Sequence, residues 1–507
     1  MRRALLSVTD KTGLEAFARR LKACGFDLVA SGGTARVLSA AGLEVTPVEK
    51  ITRNAEAFDG RMKTISFEIE SAILFDRDRH RVEAETLGVI PIDLVACNLY
   101  PFADVVRRPD FTIEEAVEQI DVGGPTMLRA AAKNHACVTV VMDPADYDTV
   151  ASEVEQRGNT RPETRRRLAA LAFARLSAYD ALIASTLGEG VRSLPLREGM
   201  PLRYGENPHQ RGTFLEPLDA PTDPLALTNF TQAQGKTLSY NNLLDADAVL
   251  FALCLIGGDG PAACIVKHTN PCGAARADSL DDAFARAWAG DPIAAFGGIV
   301  GVNRPVDGAL AERMLEDKRF FEILLAPSMD TAAREIFATR KNLRVLLNPA
   351  LDNPHLVPAW EYRSVRGAML AQMTDDHQLD VEFVTEVRPD PRQVSDLLLA
   401  WQICRASRSN AVTLVRDGML VGNGVGQQDR LTSCRIAVEK AGPRARGAVA
   451  ASDAFFPFPD GPEALARAGV AAIIQPGGSV RDSETFALCN QYGVAMATTR
   501  GVRCFRH

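Results

Sequence analysis

The segment that decides the fold of the first part of the chain reads Phe26-Asp27-Leu28-Val29-Ala30-Ser31-Gly32-Gly33-Thr34. Its apolar half predicts a buried strand, and the glycines then end that strand before a second helix begins. An earlier strand over 5–8 is followed by a helix that Thr9-Asp10 would cap and Gly25 would end, and a third strand begins at Leu43. This alternation predicts an α/β fold with a parallel sheet and helices on its faces.

The turn Ser31-Gly32-Gly33-Thr34 indicates a phosphate cradle. Glycines let main-chain N–H groups approach an anion, and the N-terminus of the following helix favours negative charge. The Ser and Thr hydroxyls add donors. A plain turn is the alternative when only four residues are considered. Ser7 and Lys11 follow the neighbouring strand, so we expect a second polar set to converge on the same place.

Length and composition describe a globular protein of several domains. The chain has 507 residues, of which 46% are hydrophobic and 24% charged, and its formal net charge is −7. This balance gives no reason to expect a nucleic-acid partner. No apolar run approaches a membrane span, so no membrane partner is expected. The ten cysteines are scattered without a C-x-x-C pair, which predicts free thiols, a cytoplasmic location and no metal site.

A second reactive stretch reads Lys267-His268-Thr269-Asn270-Pro271-Cys272-Gly273 and follows an apolar strand over 263–266. Open α/β sheets bind their ligands at such strand ends. An imidazole can take a proton from a nucleophile, and an ammonium can stabilise an oxyanion, so the pair suits acyl transfer. The alternative is a surface lysine beside a histidine that only packs.

Other polar groups lie beside predicted strand ends, glycines or turns. In the first part of the chain they are Arg61, Lys63, Thr64, Asn98, Tyr100, Asp121 and Lys133. In the second part they include Arg203, Tyr204, Asn410 and an aromatic and proline cluster over 453–460. Singly, each also fits a loop or a solvated face. The glycine- and proline-spaced run over 188–201 predicts a boundary between domains 1–197 and 198–507.

In this order and spacing the motifs closely resemble a family of bifunctional purine-biosynthesis proteins, and the resemblance covers nearly the whole chain. In that family 5-aminoimidazole-4-carboxamide ribonucleotide (AICAR) formyltransferase is joined to inosine monophosphate (IMP) cyclohydrolase. The resemblance implies an N-terminal methylglyoxal-synthase-like domain and a C-terminal cytidine-deaminase-like α/β domain that is duplicated and lacks zinc. Pro271-Cys272 agrees with the last point, because the second cysteine of a P-C-x-x-C motif is missing. The sequence shows no internal repeat, so the duplication rests on resemblance alone.

The resemblance also implies roles for particular residues. In the first domain the nucleotide would be held by Ser7, Lys11, Ser31, Gly32, Gly33, Thr34 and Arg61. The reacting carboxamide and formyl groups would be surrounded by Lys63, Thr64, Asn98, Tyr100, Asp121 and Lys133. In the second domain the nucleotide would be held by Arg203, Tyr204 and Arg503, and the chemistry carried by Lys267, His268 and Asn410. The folate side would be lined by Phe296, Asp453, Phe455, Pro457 and Phe458.

The implied reaction sequence is formyl transfer from 10-formyltetrahydrofolate to AICAR, followed by closure of formyl-AICAR (FAICAR) to IMP with loss of water. The family further implies a cytoplasmic homodimer whose transformylase sites are shared, with Lys267-His268 and Asn410 on different chains. It also implies a structural potassium ion, whose ligands the sequence does not indicate.

One stretch departs from the family pattern. The family continues Lys-Thr with Leu-His-Pro and a glycine-rich run, whereas this chain has Ile65–Ala72. The first alternative hypothesis is therefore a transformylase whose N-terminal domain only binds nucleotide. A second is a ligand sensor on an enzyme scaffold, against which the retained Lys267, His268 and Asn410 argue. We expect ring closure to survive, since the reaction is intramolecular and Lys63-Thr64 is retained.

Overall fold

A computed structural model of the chain describes residues 2–54, 57–58, 61–188, 190–218, 220–258 and 260–507. The chain forms two units. The first comprises Met1–Arg197 with Pro217–Asp219, and the second comprises Glu198–Glu216 with Ala220–His507.

The first unit contains a five-stranded parallel sheet in the order β3-β2-β1-β4-β5. Its strands are β1 Arg2–Ser7, β2 Phe26–Ala30, β3 Val45–Pro47, β4 Leu94–Cys97 and β5 Thr139–Val141. Its helices are α1 Leu14–Ala23, α2 Gly32–Ala40, α3 Glu49–Thr52, α4 Phe67–Leu74, α5 Arg81–Thr86, α6 Phe102–Val106, α7 Ile113–Glu118, α8 Gly123–Lys133, α9 Tyr147–Arg157 and α10 Pro162–Leu187, with a 3-10 turn at Pro144–Asp146.

This sheet confirms the predicted parallel α/β fold. The strand expected over 26–30 is β2, and helix α2 follows it at once. The predicted cap of α1 is wrong, because the helix begins at Leu14 after a left-handed Gly13. Asp10 instead accepts the Thr12 N–H at 2.8 Å in a local turn. Such Asp turns compete with helix formation and delay the start of the helix.

Helix α10 differs from the expectation that no segment approaches a membrane span. By length and composition alone it is long and apolar enough to cross a membrane, with a mean hydropathy of 1.3. The average is high because few charged residues follow Arg167. Of its most apolar 18-residue window 22% is buried, and the helix contributes Leu168, Ala172 and Leu176 to the core of the first unit.

The second unit is built on a mixed sheet of twelve strands in the order β16-β21-β20-β19-β17-β18-β10-β9-β11-β12-β13-β8. These strands are β8 Thr231–Gln234, β9 Ala262–Lys267, β10 Asn270–Arg276, β11 Gly298–Val302, β12 Phe321–Ala326, β13 Arg344–Leu347, β16 Glu382–Phe383, β17 Val412–Arg416, β18 Met419–Gly424, β19 Val449–Ser452, β20 Ala472–Gln475 and β21 Ala495–Thr498. Two separate ribbons pair β6 Leu196–Pro201 with β7 Thr213–Pro217, and β14 Trp360–Val365 with β15 Ala368–Met373.

Helices pack against this sheet in both halves of its strand order. They are α11 Tyr240–Ile256, α12 Leu280–Gly290, α13 Pro292–Ala295, α14 Gly308–Leu315, α15 Thr331–Ala338, α16 Pro391–Arg405, α17 Arg430–Ala441, α18 Asp460–Arg467 and α19 Asp482–Tyr492. Short 3-10 turns occur at Leu227–Asn229, Glu316–Lys318, Pro349–Asp352 and Gly442–Ala445.

The strand order makes the duplication visible. The path β8-α11-β9-β10-α12-β11-α14-β12-α15-β13 is repeated as β16-α16-β17-β18-α17-β19-α18-β20-α19-β21. The two copies meet where β10 pairs with β18. Each copy contains a hairpin with a two-residue turn, which is followed along the chain by three parallel strands. The expected duplicated α/β fold is thus confirmed, although the side chains of the two copies hide it in the sequence.

Candidate active sites

A cavity of about 630 Å³ lies at the carboxyl ends of β1, β2 and β4 in the first unit. The strand order reverses at β1, and open α/β sheets bind ligands at such a switch point. Most residues predicted for this site line the cavity: Ser7, Lys11, Ser31, Gly33, Thr34, Arg61, Lys63, Thr64, Asn98, Tyr100 and Asp121. The fold therefore brings together side chains that are more than a hundred residues apart.

The two polar sets expected at the ends of β1 and β2 touch each other. The Ser7 and Ser31 hydroxyls are 2.7 Å apart, and the Lys11 ammonium donates to the Thr34 hydroxyl at 3.3 Å. Burial lowers the pKa of Lys11. Ser31 also forms the N-cap of α2, so hydroxyls and helix N–H groups face the same space. Such a group of donors suits a phosphate.

Gly32 does not line the cavity but allows Lys63 to approach it. A Cβ at position 32 would collide with the Lys63 ammonium, and the φ angle of Gly32 is +31°. Because glycine has no Cβ, the lysine of the predicted Lys63-Thr64 pair can lie directly against Gly32, the first residue of α2.

Asp121 and Glu118 are carboxyl groups that line this cavity, and Asp121 is the more buried of the two. Its main-chain N–H donates to the Tyr179 hydroxyl at 2.7 Å, and one carboxylate oxygen accepts the Gly124 N–H at 2.8 Å. Burial raises the pKa of Asp121. Sequence patterns did not indicate Tyr179 or Glu118, which pairs with Arg61, because helical residues that only face a site leave no motif.

The departing stretch Ile65–Ala72 forms the start of helix α4. Ser66 is its N-cap and accepts the Ile69 N–H at 3.2 Å, while Ile69 and Ala72 enter the core. Phe67 is 63% exposed. Lys63 and Thr64, which precede this stretch, line the cavity.

Lys133 is not brought to the cavity. It is exposed at the C-terminal end of α8, whose N-terminus at Gly123 and Gly124 lines the cavity. Ten helical steps of 1.5 Å separate the two ends by about 15 Å. Asp121 and Lys133 are close in the sequence, but helix α8 carries Lys133 away from the cavity.

In the second unit, Lys267 ends β9 and His268 begins the turn to β10. Both line a cavity of about 210 Å³. The Lys267 ammonium donates to the Phe296 main-chain oxygen at 2.9 Å, which brings one predicted folate residue next to the predicted catalytic pair. An ammonium has three donors, so others remain for an oxyanion.

Asn410 is held by groups that the sequence did not indicate. Its carbonyl oxygen accepts from Arg430 at 2.5 Å, and its amide nitrogen donates to the Gln427 main-chain oxygen at 2.8 Å. Arg430 also forms an ion pair with Asp453. Asp453 is fully buried, so it does not line an accessible folate side as expected. A buried carboxylate needs a cationic partner, and Arg430 supplies it.

Among the remaining predicted residues, Arg203 and Arg503 form cation–π pairs. The Arg203 guanidinium lies 4.7 Å from the ring centre of Tyr204 and donates to its hydroxyl at 2.9 Å. The Arg503 guanidinium lies 5.0 Å from the ring centre of Phe455. Phe296 and Phe458 are each about half exposed, and Pro457 is exposed. Flat guanidinium and aromatic faces of this kind suit phosphate and planar rings.

The segment that carries Asn410 adjoins the Lys267-His268 turn within a single chain. The Arg408 N–H donates to the Asn270 side-chain oxygen at 2.8 Å, and the Arg408 side chain donates to the Thr269 hydroxyl at 3.4 Å. The expectation that different chains supply Lys267-His268 and Asn410 stays a prediction.

Comparison with known proteins identifies the family. Residues 131–440 match the model described as AICARFT/IMPCHase bienzyme, and residues 13–126 match the MGS-like domain. The chain is 42% identical to the bifunctional purine biosynthesis protein PurH of Bacillus cereus (strain G9842), with 100% of both chains covered. It is 43% and 45% identical to the proteins of the same name from Anoxybacillus flavithermus and Sorangium cellulosum, again over 100% of both chains. The chain therefore belongs to the AICARFT/IMPCHase bienzymes, the PurH family of bifunctional purine biosynthesis proteins.

Proposed function

We propose that the two activities of this bifunctional enzyme divide between residues 1–197 and 198–507. The protein is an AICAR formyltransferase and IMP cyclohydrolase. The observation that carries the division is that each unit has its own cavity lined by reactive side chains. The alternative of a transformylase with a merely nucleotide-binding first domain loses its motivation, because the altered stretch leaves Lys63, Thr64 and Asp121 around one cavity.

Formyl transfer is proposed to use Lys267, His268 and Asn410. The amine of AICAR attacks the formyl carbon of 10-formyltetrahydrofolate, and a C–N bond forms. His268 accepts the amine proton, which a poor nucleophile must lose, and Lys267 stabilises the oxyanion. The bond from the formyl carbon to the folate nitrogen then breaks, and the proton passes to that nitrogen. Asn410, fixed at both ends of its amide, orients the reacting groups.

The nucleotide and the folate are proposed to bind beside that centre. Arg203, Tyr204 and Arg503 bind the nucleotide, and Phe296, Phe455, Pro457 and Phe458 line the folate side. Support comes from the exposed aromatic rings and the guanidinium groups beside them. Asp453 is not included among the folate-binding residues, because its carboxylate forms an ion pair with Arg430.

Ring closure is proposed for the cavity of the first unit. The turn Ser31–Thr34, with Ser7 and Lys11, binds the phosphate, and Asn98 and Arg61 bind other parts of the nucleotide. The carboxamide nitrogen attacks the formyl carbon, and Asp121 passes a proton from that nitrogen to the former formyl oxygen. The formamide N–H then gives up the second proton as its nitrogen forms the C=N bond, and the C–O bond breaks to release water. Lys63, Thr64 and Tyr100 polarise that oxygen. Burial raises the pKa of Asp121, which makes its carboxylate a better proton acceptor. Lys133 is kept as a lesser candidate.

We also propose a cytoplasmic homodimer with shared transformylase sites. All ten cysteines are free thiols, which fits a reducing compartment. Mixing His268→Ala with Asn410→Ala subunits tests the sharing, because complementary chains would restore part of the transfer activity. For the potassium ion of the family we assign no ligands, and no step above uses it. The described residues hold no group of three or more His, Cys, Asp or Glu able to bind a metal.

An absorbance assay with AICAR and 10-formyltetrahydrofolate tests the whole proposal. We expect IMP from the full chain, and formylated intermediate without IMP from Lys63→Ala. If Lys63→Ala and wild type close supplied FAICAR equally slowly, the first unit only binds nucleotide. If no formylated product forms at all, the transformylase assignment fails.

A further inference from the structure

The turn that carries His268 has an unfavourable backbone conformation. His268 and Thr269 form a two-residue hairpin between β9 and β10, with φ angles of +53° and +62°. Such hairpins usually contain Asn-Gly or Asp-Gly, because both residues must be left-handed. A β-branched residue such as threonine is an outlier there. The turn therefore needs support from outside its own sequence.

Asp245 on helix α11 supplies that support. One of its carboxylate oxygens accepts the Thr269 N–H at 2.6 Å. Hydrogen bonds to an ionised acceptor are stronger than those between neutral groups. The main chain of Thr269, the β-branched residue of the turn, is thus held by this side chain.

The second copy of the fold contains a corresponding aspartate. Asp396 on α16 accepts the Asp417 and Gly418 N–H groups, each at 2.8 Å, and these two residues have φ angles of +53° and +73°. Asp245 and Asp396 are each the sixth residue of their helix. The second turn, however, is Asp-Gly, which adopts this conformation readily. Only the first turn depends on its aspartate.

We propose that Asp245 is a positioning residue for formyl transfer. Its carboxylate holds the His268-Thr269 turn left-handed and so keeps the imidazole beside Lys267. Asp245 acts through the turn and takes no part in the chemistry. This inference rests on the proposed role of His268 as the base.

The test compares single and double variants of the full chain. Asp245→Ala should lower kcat for transfer roughly 10²-fold, the size expected when a catalytic group is displaced. Adding Thr269→Gly to it should recover at least tenfold (on the order of half that loss), because glycine is left-handed at no steric cost. Asp396→Ala is the matched control and should transfer at close to the wild-type rate. Closure of supplied FAICAR by the first unit normalises the amount of folded enzyme.

Two results would overturn the proposal: wild-type transfer by Asp245→Ala, or no gain from Thr269→Gly in that background. If Asp245→Ala does not fold, Asp245→Asn replaces it, because an amide oxygen still accepts one N–H, and the same gain from Thr269→Gly is required. His268→Ala separates this from the proposed function. Normal transfer by His268→Ala would refute the proposed role of His268 as the base. If His268→Ala loses transfer while Asp245→Ala keeps it, only the positioning role of Asp245 is refuted.

Discussion

The two copies within the second unit share one path of the chain, and one buried position at which they differ can be compared directly. In the first copy the Asn303 side-chain oxygen accepts the Ala262 N–H at 2.7 Å. At the corresponding place in the second copy, Asp453 accepts the Ala411 N–H at 3.1 Å. Both side chains are fully buried. An amide stands in one copy where a carboxylate stands in the other.

The two groups have different needs. The Asn303 amide donates to the main-chain oxygens of Gly257 and Gly260 at 2.8 and 2.9 Å, so its hydrogen bonds are satisfied nearby. Asp453 requires a cation, and Arg430 provides it while also binding Asn410. Since the first copy folds with a neutral amide, the ion pair is not a requirement of the scaffold. It serves the placement of Asn410.

The largest effect should separate the two hairpin turns. His268→Ala should reduce formyl transfer by about 10²–10⁴-fold, as expected for loss of a positioned base. Asp417→Asn, at the corresponding place of the second copy, should leave transfer unchanged. Both variants should close supplied FAICAR normally. Product formation followed by absorbance measures this, and equal transfer by the two variants would contradict the assignment of His268.

The next effect tests the buried pair by giving the second copy the residues of the first. Asp453→Asn or Arg430→Leu alone should destabilise the second unit by about 3–5 kcal/mol, because each leaves a buried charge unpaired. Leu280 begins α12 where Arg430 begins α17, so the double variant reproduces the first copy.

The double variant should recover most of that stability while transfer stays low, because Asn410 has lost its donor. Denaturation followed by tryptophan fluorescence reports the second unit alone, since Trp288, Trp360 and Trp401 all lie there. Full transfer activity in the double variant would show that Arg430 does not serve Asn410.

A smaller effect should be common to both copies. A Cβ at Gly273 would collide with the Ala287 main-chain oxygen, and one at Gly422 would collide with that of Ala437. Each glycine lets a helix pack closely on a strand, so Gly273→Ala and Gly422→Ala should each destabilise by about 1–3 kcal/mol. Gly258→Ala, which meets nothing, is the control. If the two variants shift the denaturation midpoint unequally, the two copies do not pack their helices equally closely on their strands.

The smallest effect concerns the two turn-binding aspartates and pH. Burial raises the pKa of both Asp245 and Asp396. The native state then binds protons more tightly than the unfolded one, so each carboxyl favours folding at low pH and loses that contribution as pH rises past about 3.9. Asp396→Asn removes the ionisation. Its thermal midpoint should therefore rise relative to wild type between pH 4 and pH 7, and a falling difference would contradict the direction.

Local sequence patterns were sufficient where one side chain or turn decides the conformation. The strand over 26–30, the turn Ser31–Thr34 and the position of Lys267-His268 at a strand end follow from apolar runs and glycines. The spaced motifs also identified the family and hence both activities. Patterns failed at the start of α1, because the Asp10 turn competes with the helix, and at Lys133, because a helix separates residues that a motif joins.

The sequence by itself determined the parallel α/β fold of the first unit and most of the residues around its cavity, because strand periodicity and glycine turns are local properties. Only the tertiary structure decided that the second unit is duplicated, since two copies can share backbone hydrogen bonds with different side chains. It alone also decided the work of Asp245, Arg430 and Asp453. Their partners lie 20 to 42 residues away in the chain, and a buried charge is defined by what surrounds it in space.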